Sequence, residues 1–327
     1  MKWHDRIDRI EQTKAATSPV RLLVALGVAL AAVYALAPPV PASAPELRPA
    51  AASRAVADPP GGAYWHTRAL WAAVHPRLMG SGSNRYHVEV RHVSEGWITP
   101  GGKEWSGHRS LGARPKSAAD RRAWRRDGSP TTWRRTADGR IGRLSSLPDK
   151  GSVGPTKGGP DVFFLADQQL SYEELQRLPA DPAGLRAWIE KAVRTPRADP
   201  TANVPEEAVD EYVRGTLVTL YQLPVPRNVR VAAYRALPAM PGVHVRGKAK
   251  DALGRTGERL SFDHTRARGH KDTALRSEVI VDTGAMLLMA HGVRTTVGGK
   301  PFPNKTWTET MLHVGWTDRA PSVPALP

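Results

Sequence analysis

Apolar and polar residues alternate with period two along 64–71 and again along 86–93, the pattern of strands that bury one face. Ser81-Gly82-Ser83-Asn84 supplies the turn between them. Trp97 and Ile98 run into Pro100-Gly101-Gly102, and 104–109 reads as a returning strand, so this region is an antiparallel meander. Ser117 precedes a short helix over 118–126, and 131–135 pairs with 141–144 around Asp138-Gly139. The stretch 145–160 reads as a flexible loop. The period then changes to that of helices. Ser171-Tyr172-Glu173-Glu174 is a capping box opening a helix to Leu178. Asp181-Pro182 provides the N-cap and first-turn proline of a second helix, in which Leu185, Trp188, Ile189 and Val193 share one face. Pro205 opens a third, with Val209, Val213, Leu217 and Leu220 inward, and Pro226 opens a fourth that runs to Leu237. Strand patterns resume at 243–248, 259–262, 278–282, 286–290 and 306–316.

Strands, a block of four helices, then strands is not the alternation that a parallel sheet requires. The expected outer domain, 63–327, is therefore α+β, with an antiparallel and curved sheet and a central block of helices. No internal repeat is present.

One stretch departs from these amphipathic patterns. Residues 22–37 are apolar and uncharged and stop at Pro38-Pro39. As a helix they rise about 24 Å, short of a bilayer core of about 30 Å, so length alone leaves a signal peptide and an anchor both open. The flanks favour an anchor. A stub of 21 residues precedes the run and mixes Asp5, Asp8 and Glu11 with Lys and Arg, whereas signal peptides have a short basic leader. The small-residue site Ala42-Ser43-Ala44 is followed by Pro45, a poor cleavage context. Lys14 and Arg21 before the run, with Glu46 the first charge after it, put the N-terminus in the cytoplasm and the bulk of the chain outside. The interval 38–62, with seven prolines among alanines, is a semi-rigid spacer.

Composition narrows the chemistry. The chain of 327 residues has no Cys, which excludes disulfides, thiolate metal sites and a cysteine nucleophile. Lys and Arg number 47 against 31 Asp and Glu, a net charge of +16. Half of that excess lies in 103–143, where Trp105, Trp124 and Trp133 are interleaved with the basic residues. Arg121, Arg122, Arg125 and Arg126, with Trp124 and Trp133, are the candidate ligand or surface-binding residues. Basic groups with aromatics suit nucleic acid, but an exported domain meets anionic lipid headgroups and wall polymers instead, so no nucleic acid is expected.

Other motifs have plainer readings. Asp282-Thr283-Gly284 resembles the active-site turn of aspartic proteases, but those enzymes need two copies; a tight turn explains one. Gly151 to Gly159 has phosphate-loop ingredients, yet Gly158 follows Lys157 where a Ser or Thr belongs. His66, His87 and Glu89 lie on neighbouring strand segments, and His264 and His270 in a polar loop, without a metal-binding motif. No catalytic residue, metal or cofactor is expected.

Tyr64-Trp65, the run Ala123-Trp124-Arg125-Arg126-Asp127-Gly128-Ser129-Pro130-Thr131-Thr132-Trp133, Leu178-Pro179-Ala180-Asp181-Pro182 with Leu185-Arg186-Ala187-Trp188, and Ala236-Leu237-Pro238-Ala239-Met240-Pro241-Gly242-Val243 together resemble an actinobacterial family of single-pass membrane proteins named after a locus tag. The similarity covers about 64–316, and the cytoplasmic stub here is shorter than the family's. Members are often encoded beside extracytoplasmic-function sigma factors, so the resemblance implies an exported regulatory or sensing domain. The element order is also similar to the curved half-barrels of lipoprotein carriers and exported sigma-response regulators, in which helices cover the concave face.

The resulting expectation is a membrane-anchored extracytoplasmic binding or sensing domain without catalysis. Its partners would be the membrane, an anionic envelope ligand or a regulatory protein. The alternatives are an exported hydrolase using Asp282 and a lipid or anionic-polymer carrier.

Overall fold

The computed structural model describes residues 61–75, 77–137, 140–156, 161–195, 204–264, 273–301 and 306–327. The stub, the apolar run at 22–37, nearly all of the spacer, Gly158, Gly159 and His270 lie outside the described residues. No helix among the described residues is long and apolar enough to cross a membrane.

The fold is α+β around one large antiparallel sheet. Its first half is β1 (Tyr64–Val74), β2 (Val88–Ile98) and β3 (Glu104–Pro115). Helix α1 (Ala118–Arg126), the hairpin β4 (Thr132–Ala137) and β5 (Arg140–Ser145), strand β6 (Ser152–Pro155) and the hairpin β7 (Phe163–Leu165) and β8 (Gln168–Leu170) follow. The helical block is α2 (Tyr172–Gln176), α3 (Pro182–Arg194), α4 (Val209–Thr219) and α5 (Arg227–Ala236). The chain returns through β9 (Val243–Lys250), β10 (Thr256–Asp263), β11 (Thr273–Asp282), β12 (Leu287–Val297), the short β13 (Lys300–Pro301) and β14 (Trp307–Thr317). The sheet order is β6-β3-β2-β1-β14-β12-β11-β10-β9, with β13 paired to β12. The first and last long strands thus pair at its centre, from Tyr64 opposite Thr317 to Ala73 opposite Trp307.

The helices start where the sequence signals them. Ser117 with Asp120 and Ser171 with Glu174 form capping boxes, and Asp181 accepts from the Gly184 amide at 2.6 Å, each pairing an amide that the first helical turn leaves orphaned. In α3, Leu185 and Ile189 are fully buried and Trp188 nearly so. With Val213, Leu217 and Val229 they pack on Trp65, Ala69, Leu260, Phe262, Val279, Val281 and Met311, so the alternation of each strand sends one set of side chains toward the helices. A second, smaller core joins Met79, Tyr86, Val88, Ala113, Ala123 and Trp133.

The sheet's other face carries His66, Arg68, Glu95 and Trp97, and the C-terminal segment runs over it. Arg68 Nη2 donates to the Ala325 carbonyl at 2.8 Å and Arg109 Nη1 to that of Pro324 at 3.2 Å. A Cβ at Gly107 would lie 3.1 Å from both the Pro324 ring and the Trp97 indole, so glycine lets the C-terminal segment lie close against the sheet here.

Two elements depart from the sequence reading. The expected loop 145–160 contains β6, which pairs with β3 along the sheet edge. The β7–β8 hairpin, with Ala166 and Asp167 at φ of 51° and 59°, buries Phe163, Leu165 and Leu170. Strands of three and four residues are too short for a period to register, and they exist because an existing edge or core receives them.

Candidate functional site

Helix α4 lies across the inner face of the sheet. Its Val213 and Leu217 enter the core, while Glu211, Arg214, Gly215, Val218 and Thr219, with Gln222 just beyond, face Phe262, His264, Ser277 and His291 across a cavity of about 40 Å³. That volume holds a few waters.

Three of these side chains form a relay. His264 Nε2 is 2.5 Å from Ser277 Oγ, and its Nδ1 contacts the Glu211 carboxylate. Acid, imidazole and hydroxyl in this connectivity are the parts of an activated nucleophile. Ser277, however, sits mid-strand, opposite Phe262 on one side and Val293 on the other, so its amide belongs to the sheet ladder and is not an oxyanion donor. Arg214 is also committed, donating to the carbonyls of Pro241 at 3.0 Å and Asp263 at 3.3 Å, with its guanidinium 5.6 Å from the Phe262 ring centre. Burial lowers its pKa. Gln222 Oε1, buried against the cavity, receives no hydrogen bond.

Beyond His291 the inner face carries a row of rings. His291 lies 5.0 Å from Trp307, Trp307 5.9 Å from Trp71, Trp71 4.9 Å from His92 and His92 4.6 Å from His108, centre to centre. The row crosses β12, β14, β1, β2 and β3. Glu309 sits within it. Its opposite residues are Trp71 on β1 and His291 on β12, and its neighbours two along β14 are Trp307 and Met311. Directly opposite residues hold their Cβ atoms about 5 Å apart, so the carboxyl is enclosed by three rings and a thioether. Glu309 is 6% exposed, and its Oε2 has no hydrogen-bond partner. Burial pushes the Glu309 carboxyl up to about 7. It pushes the imidazoles the other way, His291 to about 4 and His92 to about 3, with neighbouring His264 and His108 respectively adding to the effect.

The basic residues singled out from the sequence form a separate region. Arg121, Arg122, Arg125 and Arg126 are exposed on α1. Arg126 Nε donates to Asn84 Oδ1 at 3.3 Å. The two tryptophans beside them pack inward. Trp133 is buried in the second core and donates to Tyr86 Oη at 2.9 Å, while half-buried Trp124 donates to the Pro130 carbonyl at 3.0 Å. The arginines are thus on the surface, without an aromatic platform from these two indoles.

The remaining candidates have local roles. Exposed Asp282 caps its own turn, its Oδ1 accepting from the amides of Gly284 at 2.8 Å and Ala285 at 3.1 Å. His66 pairs with Glu95, Glu89 with Arg114, and His87 lies near Asp120, so the three do not converge. Among the described residues no cluster of three His, Asp or Glu side chains is arranged to hold a metal.

Sequence reading overlooked the ring row, because its members are scattered from position 71 to position 309 on five strands. The available signal was faint: Trp71, His92, His291 and Glu309 interrupt the otherwise apolar or small inner faces of their strands. No family model, curated protein or solved structure matches the chain.

Proposed function

We propose that this chain is a membrane-anchored extracytoplasmic binding or sensing domain, an accessory regulator without catalysis, whose ligand enters between α4 and the inner face of the sheet. In this reading residues 22–37 are the anchor, 38–62 the spacer, and the sheet curves around the helical block, bending at its bulges, such as those at Arg68/Ala69 and Ile280/Val281. The observation that carries it is the pair of buried oxygens without donors, Gln222 Oε1 and Glu309 Oε2, beside a cavity and a row of rings. A buried acceptor left unmet costs about 1–3 kcal/mol, and a ligand that supplies the donor recovers it. The arginines of α1 would hold the domain near anionic lipid or polymer. The resemblance to single-pass proteins encoded beside sigma factors agrees with a regulatory role.

The cavity variant tests the binding reading. A Cβ at Gly215 meets no atom within 4 Å, so Gly215→Leu fills the space without a backbone clash. Envelope extract should raise the melting temperature of the wild-type chain and not that of Gly215→Leu; equal shifts, or none, refute a ligand in this cleft. Topology is tested by fusing alkaline phosphatase after Pro327, where an inactive fusion refutes export.

The Glu211–His264–Ser277 relay favours a second reading, an exported hydrolase with Ser277 as nucleophile. A fluorophosphonate that labels the wild type and not Ser277→Ala would establish it, and failure to label the native chain would remove it.

A further inference from the structure

Resting on the cleft reading, we infer that the rings around Glu309 form a seat for a primary alkylammonium group, with Glu309 as its counter-ion and Gln222 Oε1 as a second acceptor. Three features of the site point to this chemistry. First, the unmet groups named there are both acceptors: Glu309 Oε2 and Gln222 Oε1 each lack a donor. A ligand that complements them must donate, and an ammonium offers three N–H groups to the two oxygens. His291 links the two, standing opposite Glu309 in the sheet and facing Gln222 across the cavity.

Second, the walls are aromatic. Trp307 contacts both Trp71 and His291 beside Glu309, and the negative faces of indole rings attract a cation, more strongly as it leaves water. Met311 closes the fourth side with an apolar, polarizable surface suited to an alkyl stem.

Third, the arginines near the site already have partners, although the chain as a whole is strongly basic: Arg255, which donates to the Met311 carbonyl at 2.6 Å, pairs with Asp251. His291 and His92 are uncharged at neutral pH because burial depresses them, and His108 is lowered in the same way. Arg214 is held by two carbonyls on the far wall of the cavity. The charged and titratable groups around Glu309 are His291 from β12, His92 beyond Trp71, His264, Glu211 and Arg214 beyond His291, and the Arg255–Asp251 pair at the Met289 and Met311 carbonyls. An anion would meet an acceptor-lined pocket and is disfavoured there.

A proton must move when the seat fills. Free Glu309 is largely protonated below pH 7, and pairing with an ammonium requires its ionised form, so binding releases up to one proton to solvent. Affinity for the cation then falls about tenfold for each pH unit below 7, whereas a neutral ligand is indifferent to pH.

The experiment uses the full chain in a maltoside detergent and three probes, n-butylammonium, tetramethylammonium and 1-butanol, titrated calorimetrically in buffers of different ionisation enthalpy. The expected result at pH 8 is n-butylammonium binding at least tenfold tighter than 1-butanol, with tetramethylammonium between them because it has no N–H to donate. At pH 6 the ammonium advantage shrinks and proton release appears. Glu309→Gln should remove the advantage, and Trp71→Ala should weaken both cations. The wild-type pH profile requires no variant, so a folding defect in Glu309→Gln does not block the test. Equal affinity for n-butylammonium and 1-butanol overturns the cation assignment and leaves an apolar ligand site standing. Absence of n-butylammonium binding at pH 8, or binding without proton release at pH 6, also overturns it.

Discussion

Two glutamates lie buried in the same sheet, one on each face, and they are equally exposed at 6%. Glu95, on the face crossed by the C-terminal segment, has His66 Nε2 at 2.9 Å from one oxygen and Arg68 Nε at 3.3 Å from the other. Glu309, on the face that meets the helices, is surrounded by Trp71, Trp307, His291 and Met311, and its Oε2 meets no donor. Burial alone therefore does not mark a functional carboxyl. The first has its charge matched by neighbours ordered along with it, as a structural group must. The second carries a desolvation cost at Oε2 that no hydrogen bond offsets, a local inconsistency of the kind that also occurs at functional sites.

The ordinary apolar core sets the scale for breaking this comparison. Trp188→Ala, which hollows out the face of α3, should destabilise by about 3–5 kcal/mol in denaturant unfolding. A loss below about 1 kcal/mol would mean that this indole is not part of the packed layer on which the inner face depends.

The next effect concerns the paired carboxyl. Arg68→Met keeps the length of the side chain and leaves Glu95 with a histidine alone, and it should cost about 3 kcal/mol at pH 8 because an uncompensated buried charge remains. If the variant unfolds like the wild type, Glu95 is no more demanding than Glu309, and the contrast fails.

The unpaired carboxyl is read through pH. Its folded pKa, about 7, stands above its ordinary value of 4.5, so its contribution is fully present below 4.5, is lost as pH rises toward 7, and levels off above that. His291 and His92, depressed by burial, act oppositely, losing stability as pH falls below 6.5. Subtracting the two stability curves isolates Glu309. Glu309→Gln should gain about 3 kcal/mol relative to the wild type between pH 4.5 and pH 7.5. A difference that does not change with pH would show that a donor reaches this carboxyl.

The smallest stability effect belongs to the surface. Replacing Arg121, Arg122, Arg125 and Arg126 with Ser should change stability by less than about 0.5 kcal/mol, since exposed charges contribute little. The same variant should lose salt-sensitive association with anionic vesicles. Vesicle binding that ignores both salt and these substitutions would detach the α1 arginines from any role beside the membrane.

Much of the frame was legible in the chain. The caps at Ser117, Ser171 and Asp181, the apolar face of α3 and the alternation in β1 and β2 are local matters, set by which backbone groups a neighbouring side chain can satisfy and which side must leave water. The turn role of Asp282 was equally local, because its carboxylate reaches amides two and three residues on. The short strands β6, β7 and β8 were not legible, since their stability comes from the edge and core that receive them.

The candidate site belongs almost wholly to the second category. A strand's sequence states that Glu309 and Trp307 share a face, but not that Trp71, more than two hundred residues earlier, stands opposite. That pairing depends on β1 and β14 meeting at the centre of the sheet, and a one-residue slip in their register would turn the carboxyl to the other face. Sequence by itself determined the α+β order, the helix starts, the basic stretch and the absence of cysteine chemistry, because each rests on composition or on contacts a few residues apart. Only the tertiary structure decided which buried glutamate found a partner and which did not, because hydrogen-bond satisfaction in a sheet is settled by strands that are neighbours in space and strangers in sequence.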